Sequence, residues 1–225
     1  MVRGLEFRAT KDLDIVLHIE ALNHAFGEVF WNFVEAGGYE IRQASDTGKP
    51  VFYRFQKPAD GRFPVMLELF CRAPDGIRFA EDHRLAPIPI DEAVASLSAI
   101  LIDDVYYEFT LAGRREIDGL PWVGEDRLIP LKASAWLDLT ERRAKGEKVD
   151  SQSIRKHAND VLRLSQLLAP NLRIAVADRI AEDLQRFLEG IQADRSIDPR
   201  SIQLNNSVSE IVERIARTYA LQRTR

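Results

Sequence analysis

The hydrophobic pattern of the chain changes period at Pro130, and this change limits the folds open to it. Before Pro130, short apolar runs rich in β-branched and aromatic residues are broken by turn residues; after it, apolar residues recur at helical spacing. Residues 13–19, LDIVLHI, read as a buried strand headed by two aspartates. Residues 20–36 carry Leu22, Phe26, Phe30 and Phe33 on one helical stripe, and Gly37-Gly38 supplies the stop. Further strands are expected at residues 39–43, 51–55 and 65–71, separated by Ser45-Asp46-Thr47-Gly48 and Pro58-Ala59-Asp60-Gly61. Residues 78–130 read as strands and loops with a strand at 105–111. Helices are expected at 131–145, from a cap at Asp150 or Ser151 to 168, at 176–192 and at 208–222. The fold class implied is α+β: a mixed α/β core over residues 1–127, followed by a helical half over residues 128–225.

Composition narrows the function classes. The 225 residues suffice for a full hydrophobic core, with 45% hydrophobic and 29% charged residues. A net charge of −4 gives no overall pull toward nucleic acid, so any such binding needs a local cationic site. Cys71 is the single cysteine, which excludes an internal disulfide framework and a cysteine zinc cage, and fits a cytoplasmic setting. The first residues, MVRGLEFRATKDLD, do not read as a signal peptide. No apolar run approaches the ~18 residues of a membrane span, so no membrane partner is expected.

The sharpest chemical feature is Asp12-Leu13-Asp14. Alternation along a strand sends both carboxylates to one side, where they repel each other unless a cation lies between them. Such an oxygen-rich pair suits Mg²⁺, which takes one or two carboxylates and fills its shell with phosphate and water. The competing reading is a solvated pair at a strand entry. Glu68, inside the apolar run VMLELF, shares a face with Met66 and Phe70. A charge placed there calls for a metal, a pairing arginine or exposure to solvent.

The string Gly4, Arg8, Ala9, Thr10, Lys11, Asp12, Leu13, Asp14, Ile15 resembles the signature of the AbiEii-like nucleotidyltransferase toxins of abortive infection and type IV toxin-antitoxin pairs. The helical half adds Ile129-Pro130-Leu131-Lys132, then Arg142-Arg143, then the helix bearing Lys156, Asp160 and Arg163 on one face. The resemblance covers residues 4–168 and implies a nucleotidyltransferase-type mixed sheet. It implies that Asp12, Asp14 and Glu68 are catalytic and hold Mg²⁺ or Mn²⁺. Lys132, with Arg8 and Lys11, would bind the nucleoside triphosphate, and the helical half would turn Lys132 toward the acids. Asp160 and Lys156 would orient a neighbour or the acceptor. The acceptor implied is an RNA such as a tRNA, or a protein hydroxyl, and the partner an antitoxin protein. One departure stands out: the family's Gly-Gly or Gly-Ser phosphate cradle has no counterpart ahead of Asp12. That departure leads to two expectations, a chain that starts downstream of the true start or a non-catalytic relative acting in binding or interaction.

Other chemistries lack their residues. His18, His24, His83 and His157 show no metal-ligand spacing, and no nucleophile elbow, Walker loop or dinucleotide fingerprint occurs. Trp31, Trp122 and Trp136 read as core or interface anchors.

Overall fold

The computed structural model describes residues 12–18, 22–43, 50–73, 85–87 and 98–221. Gly4, Arg8, Lys11, the 45–48 turn and His83 lie outside the described residues. The class is α+β, and the chain divides into two compact units, Arg8–Tyr107 and a second holding Glu108–Arg225.

In the first unit the sequence order is β1 (Asp12–Val16), α1 (His24–Gly37), β2 (Glu40–Gln43), β3 (Pro50–Gln56), β4 (Met66–Cys71), β5 (Leu85–Pro87) and β6 (Ser98–Leu101). β4 organises the sheet. It pairs in parallel with β1 from Met66 to Phe70, antiparallel with β3 from Met66 to Glu68, and in parallel with β6 at Phe70 and Cys71. β2 extends the sheet beyond β3, and β5 beyond β6, both antiparallel.

Leu67, Leu69 and Cys71 alternate with Met66, Glu68 and Phe70, and only the first three are fully buried. They form the core with Leu17, Phe55, Phe30 and Val34, the last two from α1. Phe30 and Trp31 both meet the Phe55 ring edge-on, at 5.4 and 5.7 Å between centroids. Asn23 caps α1 by accepting the Phe26 N–H at 3.0 Å, and Gly38 ends it at φ 61, in the left-handed region that favours glycine.

Residues 105–111, read as a strand, instead belong to helix α2 (Asp104–Ala112). The aromatic and β-branched composition of VYYEFTL suggested a strand, but burial follows helical spacing, with Tyr106, Tyr107 and Thr110 inside. Asp103 accepts the Val105 N–H at 3.0 Å at the start of the helix. The Tyr107 hydroxyl donates to the Leu17 carbonyl at 2.9 Å, tying α2 to the end of β1.

The second unit holds the hairpin β7 (Arg114–Ile117) and β8 (Leu120–Val123), then α3 (Glu125–Ala144), α4 (Ser151–Leu164), α5 (Asp178–Ala193) and α6 (Val208–Thr218). Asp118 and Gly119 turn the hairpin with φ of 51 and 78, the geometry for which Asp-Gly is selected. α3 begins before Pro130 rather than after it. Proline lacks the N–H that would bond the carbonyl four residues back, that of Asp126. The Tyr219 hydroxyl takes its place, donating to the Asp126 carbonyl at 2.9 Å. α3 packs on α4 and α5, where Trp136 meets Phe187 edge-on at 5.3 Å and lies against Gly190. Asp150 caps α4, and Ser207 with Glu210 forms a capping box on α6.

Candidate functional site

The parallel register of β1 on β4 sets Asp14 opposite Glu68, and the antiparallel register of β3 on β4 sets Arg54 opposite Glu68. Residues in register on neighbouring strands point to one face. Asp14, Glu68 and Arg54 therefore form a row across three adjacent strands. Asp12, Met66 and Gln56 form the next row. This face is the one opposite Leu67, Leu69 and Phe55, the residues that pack with α1.

Asp14 is exposed, whereas the Glu68 side chain retains 13% of its accessible surface and Arg54 28%. Arg54 Nε donates to Glu68 Oε1, and Nη2 pairs with the same oxygen. Of the readings open for Glu68, the pairing arginine is the arrangement found. Both nitrogens converge on Oε1. Among the described residues no three His, Cys, Asp or Glu side chains stand close enough together to hold a metal ion.

Lys132, Lys156 and Asp160 lie in the other unit. Lys132 is half-buried on α3; Lys156 is exposed and Asp160 half-buried on α4. His18 is exposed beyond the end of β1. Cys71 is wholly buried, and its thiol is pushed up to about 11 by desolvation, which suits a core residue and not a nucleophile.

Arg54 is the member of the row that sequence reasoning missed. The signal was present: Arg54 stands alone in the apolar run VFYRF, as Glu68 does in VMLELF, and the turn at 58–61 joins the two runs. Folding that hairpin about its turn brings the two lone charges opposite each other.

Compared with known proteins, the chain matches no family model, no curated protein and no solved structure.

Proposed function

We propose that the chain is a metal-dependent nucleotidyltransferase, moving a nucleotide from a nucleoside triphosphate to a hydroxyl of an RNA or protein acceptor. Its setting is a toxin-antitoxin or phage-defence pair. The supporting observation is the β1–β4 register, which puts Asp14 beside Glu68 with Asp12 two residues earlier on the same face. In that reaction the acceptor oxygen forms a bond to the α-phosphorus, the bond to the bridging oxygen breaks, and pyrophosphate leaves.

The donor set fits a divalent cation at Asp12 and Asp14. Hard oxygen ligands two residues apart on one strand match Mg²⁺ or Mn²⁺, which complete their shells with phosphate and water. Glu68 is engaged by Arg54, and among the described residues it does not complete a three-carboxylate group with Asp12 and Asp14. When bound, the ion neutralises triphosphate charge and raises the electrophilicity of the α-phosphorus. Asp14, exposed at the strand's outer face, accepts the proton of the attacking hydroxyl. Met66 and Phe70 flank Glu68 and reduce its access to water, which strengthens the electrostatic interactions it makes.

A second reading, a non-catalytic relative that binds a nucleotide or a protein partner, draws support from the Arg54–Glu68 pair. An arginine already answers the third acid there.

The test is incubation with α-labelled nucleoside triphosphates, Mg²⁺ or Mn²⁺ and a mixture of RNA and protein acceptors. Label transfer that requires the ion and is lost in Asp14→Asn is the expected result. No transfer, with nucleotide binding retained, would select the second reading.

A further inference from the structure

We infer that the open edge of β7 is a surface for self-association: two copies of this chain pair their β7 strands antiparallel about Arg115, so that Arg114 of each copy meets Glu116 of the other. The β7–β8 hairpin belongs to the helical unit and shares no residue with the sheet face that carries Asp14.

The register fixes which backbone groups point outward. Ile117 and Leu120 close the two-residue Asp118-Gly119 turn, so by hairpin geometry they are a hydrogen-bonded pair, as are Arg115 and Trp122. In the alternate pairs, Glu116 with Pro121 and Arg114 with Val123, the backbone groups therefore point away from the hairpin. On β8 one of these positions is Pro121, which has no N–H to offer and blunts that edge. On β7 they are Arg114 and Glu116, each with a donor and an acceptor. β7 is exposed along its whole length, and its sheet has two strands among the described residues. A two-stranded ribbon is marginal by itself, and this one also exposes Ile117, Leu120 and Trp122 on a single face.

The charge pattern of the edge selects the occupant. Arg114 and Glu116 lie on the other face of the hairpin, both exposed, and pair with each other along the strand at 3.0 Å. A two-fold axis through Arg115 sets Arg114 opposite Glu116 of the second copy and Glu116 opposite its Arg114. Both are attractive cross-strand pairs, and both fall at the outward positions where backbone hydrogen bonds can form. The product is one sheet of order β8-β7-β7-β8. Moving the axis to Glu116 would oppose two glutamates and draw in Asp118, whose φ of 51 is not extended. Arg115 meets its own copy at the axis, a like-charge opposition that counts against pairing. It is relieved because each guanidinium is held across its own hairpin over Trp122, at 5.2 Å, and on Asp126, at 2.7 Å. Ile117 then falls opposite Gly113 of the second copy, so the apolar tip of each hairpin lies against protein. An edge this short makes a weak, concentration-dependent dimer.

The experiment is sedimentation velocity of the full chain over about 1–200 μM, the range of a weak interface, where the wild type should shift from monomer toward dimer as concentration rises. Arg114→Glu alone and Glu116→Arg alone should each weaken self-association about tenfold or more, because each turns both cross-strand pairs into like charges. An equimolar mixture of the two variants should restore it, since every cross-strand pair is again opposite in sign. Both changes fall on an exposed ion pair that contributes little to the monomer, and circular dichroism checks that each variant is folded. Should a variant not fold, hydrogen exchange on the wild type decides: the Arg114 and Glu116 amides should slow with rising concentration while that of Val123, on the other edge, does not. A wild type that stays monomeric throughout the range overturns the inference. Self-association that neither single variant weakens, or a mixture as weak as its components, overturns it as well.

Discussion

Glu68 in the sheet unit and Asp126 in the helical unit are shielded to similar degrees, with 13% and 8% of their side-chain surface exposed, and both meet arginine. Their surroundings differ. Arg115 Nη2 donates to Asp126 Oδ1 at 2.7 Å, and Arg127 Nε stands 3.5 Å from Oδ2, so both oxygens face a cation. The same residue's carbonyl, freed by Pro130, accepts the Tyr219 hydroxyl. Asp126 thus joins the β7–β8 hairpin, the start of α3 and the end of α6, and it sits in a first helical turn that favours negative charge. Glu68 meets Arg54 at Oε1, with Asp14 in register beside it. Asp126 ties elements of the fold together, whereas Glu68 stands beside a second acid on the face proposed for chemistry.

Replacing each acid by alanine is the strongest way to break this comparison. Asp126→Ala should cost about 3 kcal/mol of stability, since it strands Arg127 and unties the hairpin, while Glu68→Ala should cost about 1–2 kcal/mol. Urea unfolding monitored by fluorescence measures both. Equal costs would erase the distinction between a structural and a functional carboxylate.

Tyr219→Phe sharpens the helical side of the comparison. It leaves the buried Asp126 carbonyl without a donor, at an expected cost of about 1–2 kcal/mol. Adding Pro130→Ala restores a backbone N–H four residues on and should recover part of that loss. If the double variant is less stable than the single one, the proline is not the reason for the tyrosine's hydrogen bond.

The smallest effect concerns Cys71, on the core side of β4. Burial raises its folded pKa from the ordinary thiol value of 9.0 to about 11, so the folded state holds the thiol proton more firmly than the unfolded state. The resulting stability is fully present below pH 9 and is lost as pH rises toward 11. Cys71→Val should flatten that alkaline slope in thermal melts recorded between pH 8 and 11. An unchanged slope would assign it to other groups.

Much of the fold is legible in the sequence because burial and period agree. β4 shows alternation, α1 ends at its glycine stop although it begins at His24 rather than at residue 20, and α4 carries its expected cap at Asp150. The failures have specific causes. At residues 105–111 the residue types favour a strand while the spacing of buried positions is helical, and tertiary burial decided. At Pro130 the expected helix start gave way because Tyr219, distant in sequence, supplies the missing donor. For the candidate site, alternation gave the shared face of Asp12 and Asp14 and the orientation of Glu68. The partner of Glu68 depended on the β3–β4 register, which a single strand read alone does not contain.

The proposed function requires a nucleotide and its cation to bind on the face that carries Asp14, Glu68 and Arg54. Amide correlation spectra of the ¹⁵N-labelled chain, titrated with Mg²⁺ and a non-hydrolysable nucleoside triphosphate, test it most directly. The account predicts that the largest shifts fall on residues 12–16, 54 and 66–70 and vanish in Asp14→Asn. No shifts, or shifts centred instead on the groove between α5 and α6 lined by Leu188, Val212 and Ala216, would contradict it.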